Sequence, residues 1–184
     1  MLITKLVNLF NFYRKAEITK IFSLTAISTL VKMLAGFISI KVVAVIVGPS
    51  GIALLGQLSN FSIIIMTLAS GGINNGVTKY IAENKNYPRK IQLFLSTALQ
   101  ITLVLSLVSG ICLIIFSSLL SDLILTETKY SYVFILFGVT LILYALNKLL
   151  MSIINGYKEF NKFVNISIVT SVVGVIFTVG LVWI

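Results

Sequence analysis

Apolar positions gather into five long runs along this chain, roughly 21–48, 52–82, 91–120, 130–154 and 163–184, with short polar links between them. A helix that crosses a bilayer needs about 20 mostly apolar residues, and every run meets that length. Lipid offers no partner to a free backbone N–H or carbonyl, so runs of this kind predict α-helices. A membrane β-barrel would show short stretches of alternating polarity instead. The pattern predicts an all-α, polytopic transmembrane helix bundle of about five spans.

Polar residues are placed at helical spacing within these runs. At roughly 100° per residue, Thr25, Ser28, Thr29, Lys32, Gly36 and Ser39 share one face of the first run, which ends at Gly48-Pro49. Pro49 has no backbone N–H to donate, so the chain is expected to turn there. In the second run Asn60, Thr67, Gly71, Asn74 and Thr78 share a face, and Gly71-Gly72 predicts a kink or local unwinding. The third run is the most uniformly apolar, with Gln100 its main polar residue. Thr140, Tyr144, Asn147, Met151 and Asn155 line one face of the fourth, with Lys148 beside Asn147. Ser167, Thr170, Ser171, Gly174 and Thr178 lie near one face of the fifth.

Two explanations fit such stripes. Small and hydroxyl residues pack helix against helix in membranes, or they line a shared polar cavity. Packing is the simpler account of the Ser, Thr and Gly positions. It does not account for Lys32, since an ammonium near the middle of a span costs about 2.5–3.5 kcal/mol on insertion scales and needs water or a partner. Lys41 falls on the opposite face of a straight helix. It either snorkels to the outer interface or joins Lys32 if the helix bends near Gly36. Lys148 lies close to the end of its run, where snorkelling is the simpler reading.

Composition agrees with the pattern. Of 184 residues, 58% are hydrophobic and only 10% charged, against about 45–50% and 25% in soluble domains. The net charge of +9 is distributed as a topology signal rather than a nucleic-acid surface. Lys5, Arg14, Lys15 and Lys20 precede the first span, Lys79 lies at the end of the second with Lys85, Arg89 and Lys90 after it, and Lys158 and Lys162 follow the fourth; the opposite links hold only Lys129. Basic residues mark cytoplasmic links, so the N-terminus is expected in the cytoplasm, with Trp183 at the outer interface. Residues 1–20, with Leu2, Leu6, Leu9, Phe10 and Tyr13 on one face, are expected to form a basic amphipathic segment on the membrane surface. The remainder, 21–184, is expected to be the transmembrane bundle. The first run is too long and starts too late for a cleaved signal peptide. The chain stops as the fifth run completes its crossing, the expectation for a piece of a larger protein.

Candidate chemistry is narrow. There is no histidine and a single cysteine, Cys112, which removes the commonest general base, internal disulfides and Cys-rich metal sites. No nucleophile–base pair and no metal-spaced acid cluster occur, so no catalytic residue, metal or cofactor is expected and the chain does not read as an enzyme. No Asp or Glu lies within a run. A cavity holding a cation and no anion suits a phosphate or pyrophosphate better than a cationic ligand.

Three stretches carry a family resemblance. Thr25-Ala26-Ile27-Ser28-Thr29-Leu30-Val31-Lys32 with the later Lys41, Gly48-Pro49-Ser50-Gly51, and Gly76-Val77-Thr78-Lys79-Tyr80-Ile81-Ala82 resemble the Wzx-type O-antigen and lipid III flippases. These belong to the multidrug/oligosaccharidyl-lipid/polysaccharide exporter superfamily. Asn155-Gly156 fits as well. The likeness covers essentially the whole chain and is most specific in the first two spans. It implies the N-terminal part of a twelve-helix exporter fold in the bacterial inner membrane, built as two bundles around a central, often cationic cavity. The implied activity is flipping of undecaprenyl-pyrophosphate-linked oligosaccharide to the periplasmic leaflet for O-antigen or enterobacterial-common-antigen-type polysaccharide synthesis. The implied partners are the lipid bilayer, that lipid-linked oligosaccharide and polysaccharide polymerase machinery. On this reading Lys32 attracts the pyrophosphate, Lys41 is a second cationic site, and Asn74 with Asn75 lines the cavity beside Gly71-Gly72. A cation-coupled small-molecule exporter of the same superfamily and an inactive truncated remnant are the alternatives; the lack of carboxylates in the spans counts against the first.

Overall fold

The computed structural model describes the backbone of residues 2–183 and the side chains of residues 19, 22, 23, 25–46 and 48–180. The described chain is all helix and turn: α1 (Leu2–Ala69), α2 (Asn74–Glu83), α3 (Pro88–Ile115), α4 (Ser117–Leu125), a single 3-10 turn (Thr128–Tyr130), α5 (Ser131–Gly156) and α6 (Phe160–Trp183). Five stretches are long and apolar enough to cross a membrane: Thr25–Ile46, Gly48–Ala69, Pro88–Ile115, Thr128–Gly156 and Phe160–Gly180. The amphipathic face expected for residues 1–20 and the interfacial position expected for Trp183 rest on side chains outside the described residues.

The helices form two compact units, residues 1–46 with 160–184, and residues 47–159. The boundary in α1 coincides with Gly48, whose backbone is non-helical at φ 79° and ψ −175°. Positive φ is open to glycine because it has no Cβ. Pro49 then opens the next helical segment, where a missing N–H removes no hydrogen bond. Among the described residues of the first unit the buried positions are small or modest in size: Ser28 and Val43 on α1, Val164 and Ser167 on α6. Phe22, Leu30, Met33, Phe37, Ile176 and Phe177 are exposed, as lipid-facing positions of a span are.

The second unit is organised on α5, whose inward residues Phe134, Gly138, Leu141, Ala145, Leu149 and Gly156 are all buried. Helix α3 packs along it with Ala98, Thr102, Ser106 and Gly110. This is a small-residue stripe at four-residue spacing. Within lipid no hydrophobic force drives two helices together, so close packing of small residues must do it. The approach is close at Gly110 and Gly138, where a Cβ built on either would lie 2.7 Å from the other's carbonyl oxygen. Thr102 and Ser106 donate back to Ala98 and Leu103 carbonyls, which keeps their buried hydroxyls satisfied.

Two apolar clusters lie at different levels of α5. One joins Phe134 and Leu141 to Ala69, Leu113 and Leu125, with Leu54, Leu58, Phe61 and Ile65 of α1 against it. Phe61 meets Phe134 edge-on, centroids 5.6 Å apart. The other joins Leu149 to Val77 and Ile81 of α2 and to Ile91 and Ala98 of α3. Tyr80 stacks on Phe94 at 4.0 Å. Gly156 admits α2 so closely that a Cβ there would lie 2.8 Å from Ile81 Cβ, and Thr78 Oγ1 donates to the Ser152 carbonyl at 3.0 Å.

The run read as a span over 52–82 is divided. Helix α1 stops at Ala69 in a Schellman motif: Gly72 N–H reaches the Thr67 carbonyl at 3.3 Å and Gly71 N–H the Leu68 carbonyl at 2.9 Å. Gly71 and Gly72 are both left-handed, at φ 61° and 63°. The motif satisfies carbonyls that the end of a helix would otherwise leave free, and α2 then starts at Asn74. The third run is divided too. Helix α3 ends at Ile115, Phe116 leaves helical geometry at φ −92° and ψ 13°, and α4 carries the rest. Helix α5 ends in a second Schellman motif, from Glu159 N–H to the Ile154 carbonyl and Lys158 N–H to the Asn155 carbonyl, with Lys158 in the left-handed position at φ 61°.

Candidate functional site

The divided second run builds the site. A Cβ on Gly71 would meet Leu105 Cδ1 at 2.8 Å and Ile101 Cγ2 at 3.5 Å, so the glycine turn lies against the middle of α3. Irregular backbone deep in a membrane is tolerated where it lies in protein or lines a cavity. Beside this turn is a cavity of about 230 Å³ lined by Ile63, Met66, Thr67 and Ser70 from the end of α1, Asn74 from the start of α2, and Tyr144 and Lys148 from α5. Along α5, Tyr144 and Lys148 fall between Leu141 of one apolar cluster and Leu149 of the other. All seven lining residues belong to the second unit.

The lining offers two kinds of chemistry. Thr67 Oγ1 donates to the Ile63 carbonyl at 2.7 Å and Ser70 Oγ to the Thr67 carbonyl at 3.0 Å. Their protons are spent on their own helix, so toward the cavity these hydroxyls present lone pairs. In the same lining, Lys148 brings three donors and a positive charge, and Asn74 an amide that can donate or accept. Lys148 Nζ sits over the Tyr144 ring, 5.4 Å from its centroid, a cation–π distance that orients the ammonium. No carboxylate lines the cavity. Among the described residues no group of three or more His, Cys, Asp or Glu could hold a metal ion.

The four residues singled out by sequence are placed differently. Asn74 lines the cavity. Asn75 is exposed on α2. Lys32 and Lys41 are exposed on the first segment of α1, in the other unit. Sequence reasoning left Lys148 out, because its nearness to the end of the run favoured snorkelling. The signal that would have found it was its four-residue spacing from Tyr144 on the polar face of the fourth run.

With the geometry in place, comparison with known proteins gives the family. The family model described as "Polysaccharide biosynthesis protein" matches residues 18–184. The chain belongs to that family. It is 29% identical over 152 residues to the lipid III flippase of Escherichia coli K12 and equally to that of Shigella flexneri, covering 83% of this chain and 36% of each relative. The chain thus spans little more than a third of the length of the curated relatives it matches. No solved structure matches it. The Wzx-type resemblance read from spans one and two is borne out by these matches, and the all-α, five-span fold by the helices themselves.

Proposed function

We propose that the chain is part of an inner-membrane translocator that flips a polyprenyl-pyrophosphate-linked oligosaccharide, with the cavity of the second unit handling its polar head. The observation that carries this reading is the lining: one ammonium, one amide, a phenol and two hydroxyl acceptors, with no carboxylate. Lys148 and Asn74 suit phosphate oxygens, which only accept. The Thr67 and Ser70 oxygens suit sugar hydroxyls, which can donate to them. A cavity formed where a span is discontinuous is a recurrent place for substrate in membrane transporters. The similarity to lipid III flippases supports the same substrate class. Lys32 and Lys41, on the first unit, offer further cationic positions, and Asn75, next to Asn74 on α2, a second amide. The N-terminus is cytoplasmic, and polysaccharide polymerase machinery receives the flipped product.

The test compares charge with shape at Lys148 and, in parallel, at Lys32. Binding of a short-chain polyprenyl pyrophosphate to the purified protein is measured, with surface-polysaccharide rescue of a flippase-null strain at matched membrane abundance. Loss of a charged hydrogen bond is worth about 1.5–3 kcal/mol, roughly a 10- to 150-fold weaker affinity. Lys148→Ala and Lys148→Glu are expected to lose that much, and Lys148→Arg to keep part of it. Lys32→Ala, with Lys32→Arg beside it, reports whether the first unit shares the load. Wild-type binding and rescue by Lys148→Ala would overturn the assignment.

A further inference from the structure

The close packing of α2 on α5 and α3 has an electrostatic result away from the cavity. Gly156, near the C-terminal end of α5, lies against Thr78 and Ile81 of α2, and Tyr80 of α2 stacks on Phe94 near the start of α3. The C-terminal ends of α2 and α5 and the N-terminal end of α3 therefore meet at one end of the second unit. That end carries Lys79, Lys85, Arg89, Lys90 and Lys158, all exposed, against Glu83 and Glu159. Lys79 and Glu83 approach to 3.9 Å, but both are largely solvent-exposed, so the pair neutralises little. At the other end of the same unit Asp122 and Glu127 outnumber Lys129. One compact body thus has a basic end and a mildly acidic one.

Aromatic residues accompany the charge. Tyr87 and Tyr157 are exposed at the basic end, and Lys90 Nζ sits 4.8 Å above the Tyr87 ring. Tyrosine beside lysine is the composition favoured at the headgroup level of a bilayer. Helix α2 adds the geometry of an interfacial element: ten residues long, Val77 and Ile81 buried inward, Lys79 and Glu83 outward. Basic positions on α2 (Lys79) and α3 (Arg89, Lys90), in the link between them (Lys85) and just past the end of α5 (Lys158) can face several phosphates at once.

The geometry points to a binding surface for anionic glycerophospholipid headgroups at the end of the second unit where α2, α3 and α5 converge. Charge complementarity selects this occupant: the surface meets the bilayer in which the helices sit, and a lipid phosphate brings negative charge to an end where five basic residues stand against two acidic ones. The surface is separate from the cavity lining and stands whether or not the cavity binds a pyrophosphate.

The test uses the full chain in a nonionic detergent, titrated with phosphatidylglycerol or phosphatidylcholine and read as bound lipid by native mass spectrometry. Each basic residue near anionic lipid is worth roughly a fivefold change in affinity. The triple variant Lys85→Gln/Arg89→Gln/Lys90→Gln is expected to bind phosphatidylglycerol at least tenfold more weakly, with phosphatidylcholine unchanged. Lys85→Arg/Lys90→Arg is expected to retain wild-type affinity, which separates charge from fold. Lys129→Gln, at the acidic end, should have no effect. Full phosphatidylglycerol binding by the triple variant, equal affinity for both lipids in the wild type, or an equal loss in Lys129→Gln would overturn the proposal. The first of these results would leave the basic residues as topology determinants alone.

Discussion

The crossing of α3 and α5 at Gly110 and Gly138 allows a stability prediction worked from distances. A methyl group placed on Gly110 would lie 2.7 Å from the Gly138 carbonyl oxygen and 3.6 Å from its carbon. Carbon and carbonyl oxygen rest at about 3.3–3.6 Å even in their closest favourable contacts. The two helices must therefore separate by some tenths of an ångström, and the obstacle is backbone, which cannot rotate away. Overpacking of this kind costs about 1–3 kcal/mol. Replacing glycine by alanine in a helix returns about 0.5–1 kcal/mol. The net expectation for Gly110→Ala is a loss of about 1 kcal/mol, within about 0–2.5 kcal/mol, against a total stability of about 5–15 kcal/mol. Gly56, with nothing within 4 Å of a built Cβ, is the control, and Gly56→Ala should gain stability or hold it. Equilibrium unfolding in mixed micelles measures both. In the double variant Gly110→Ala/Gly138→Ala the second methyl enters a gap the first has opened, so the losses should fall short of additive, as contacting sites do. Stability of Gly110→Ala at or above wild type, matching Gly56→Ala, would refute the reasoning. Because α5 carries Tyr144 and Lys148, the same variant should also weaken polyprenyl-pyrophosphate binding.

Two further outcomes can be checked directly. Gly72 is left-handed with open space around its Cβ position, so Gly72→Ala should cost about 1–2 kcal/mol from backbone strain alone, while Gly72→Asn, which tolerates that region, should cost visibly less; equal losses in thermal unfolding would locate the need for glycine elsewhere. For topology, reporter fusions after Lys90 and Lys162 should read cytoplasmic and one at Lys129 periplasmic, and a cytoplasmic signal at Lys129 would reverse the proposed orientation.

Much of the fold was legible because lipid simplifies the problem. With no water in the hydrocarbon core, each apolar run had to be helical, and run length alone indicated five spans. Gly71-Gly72 was readable as an interruption because paired glycines have few other uses inside a span. The stripe Ala98, Thr102, Ser106 and Gly110 was there to be read as well, yet looked featureless because small residues score as apolar or neutral. Its meaning depends on which helix it faces.

What the sequence determined by itself was local: where the chain is helical, where Gly48 and Gly71 let it leave the helix, and where positive charge collects. What only the tertiary structure decided was which faces meet. Lys148 read as an end-of-span lysine until the glycine turn, held against Leu105 and Ile101 of α3, brought Thr67, Ser70 and Asn74 to the same cavity. Lys32, the most conspicuous charge in the sequence, belongs to a different unit from that cavity. The physical reason is that a helical period of 3.6 residues says which side chains share a face. It carries no information about the neighbour that covers that face, and in lipid that neighbour is chosen by the fit of small residues such as Gly110 against Gly138.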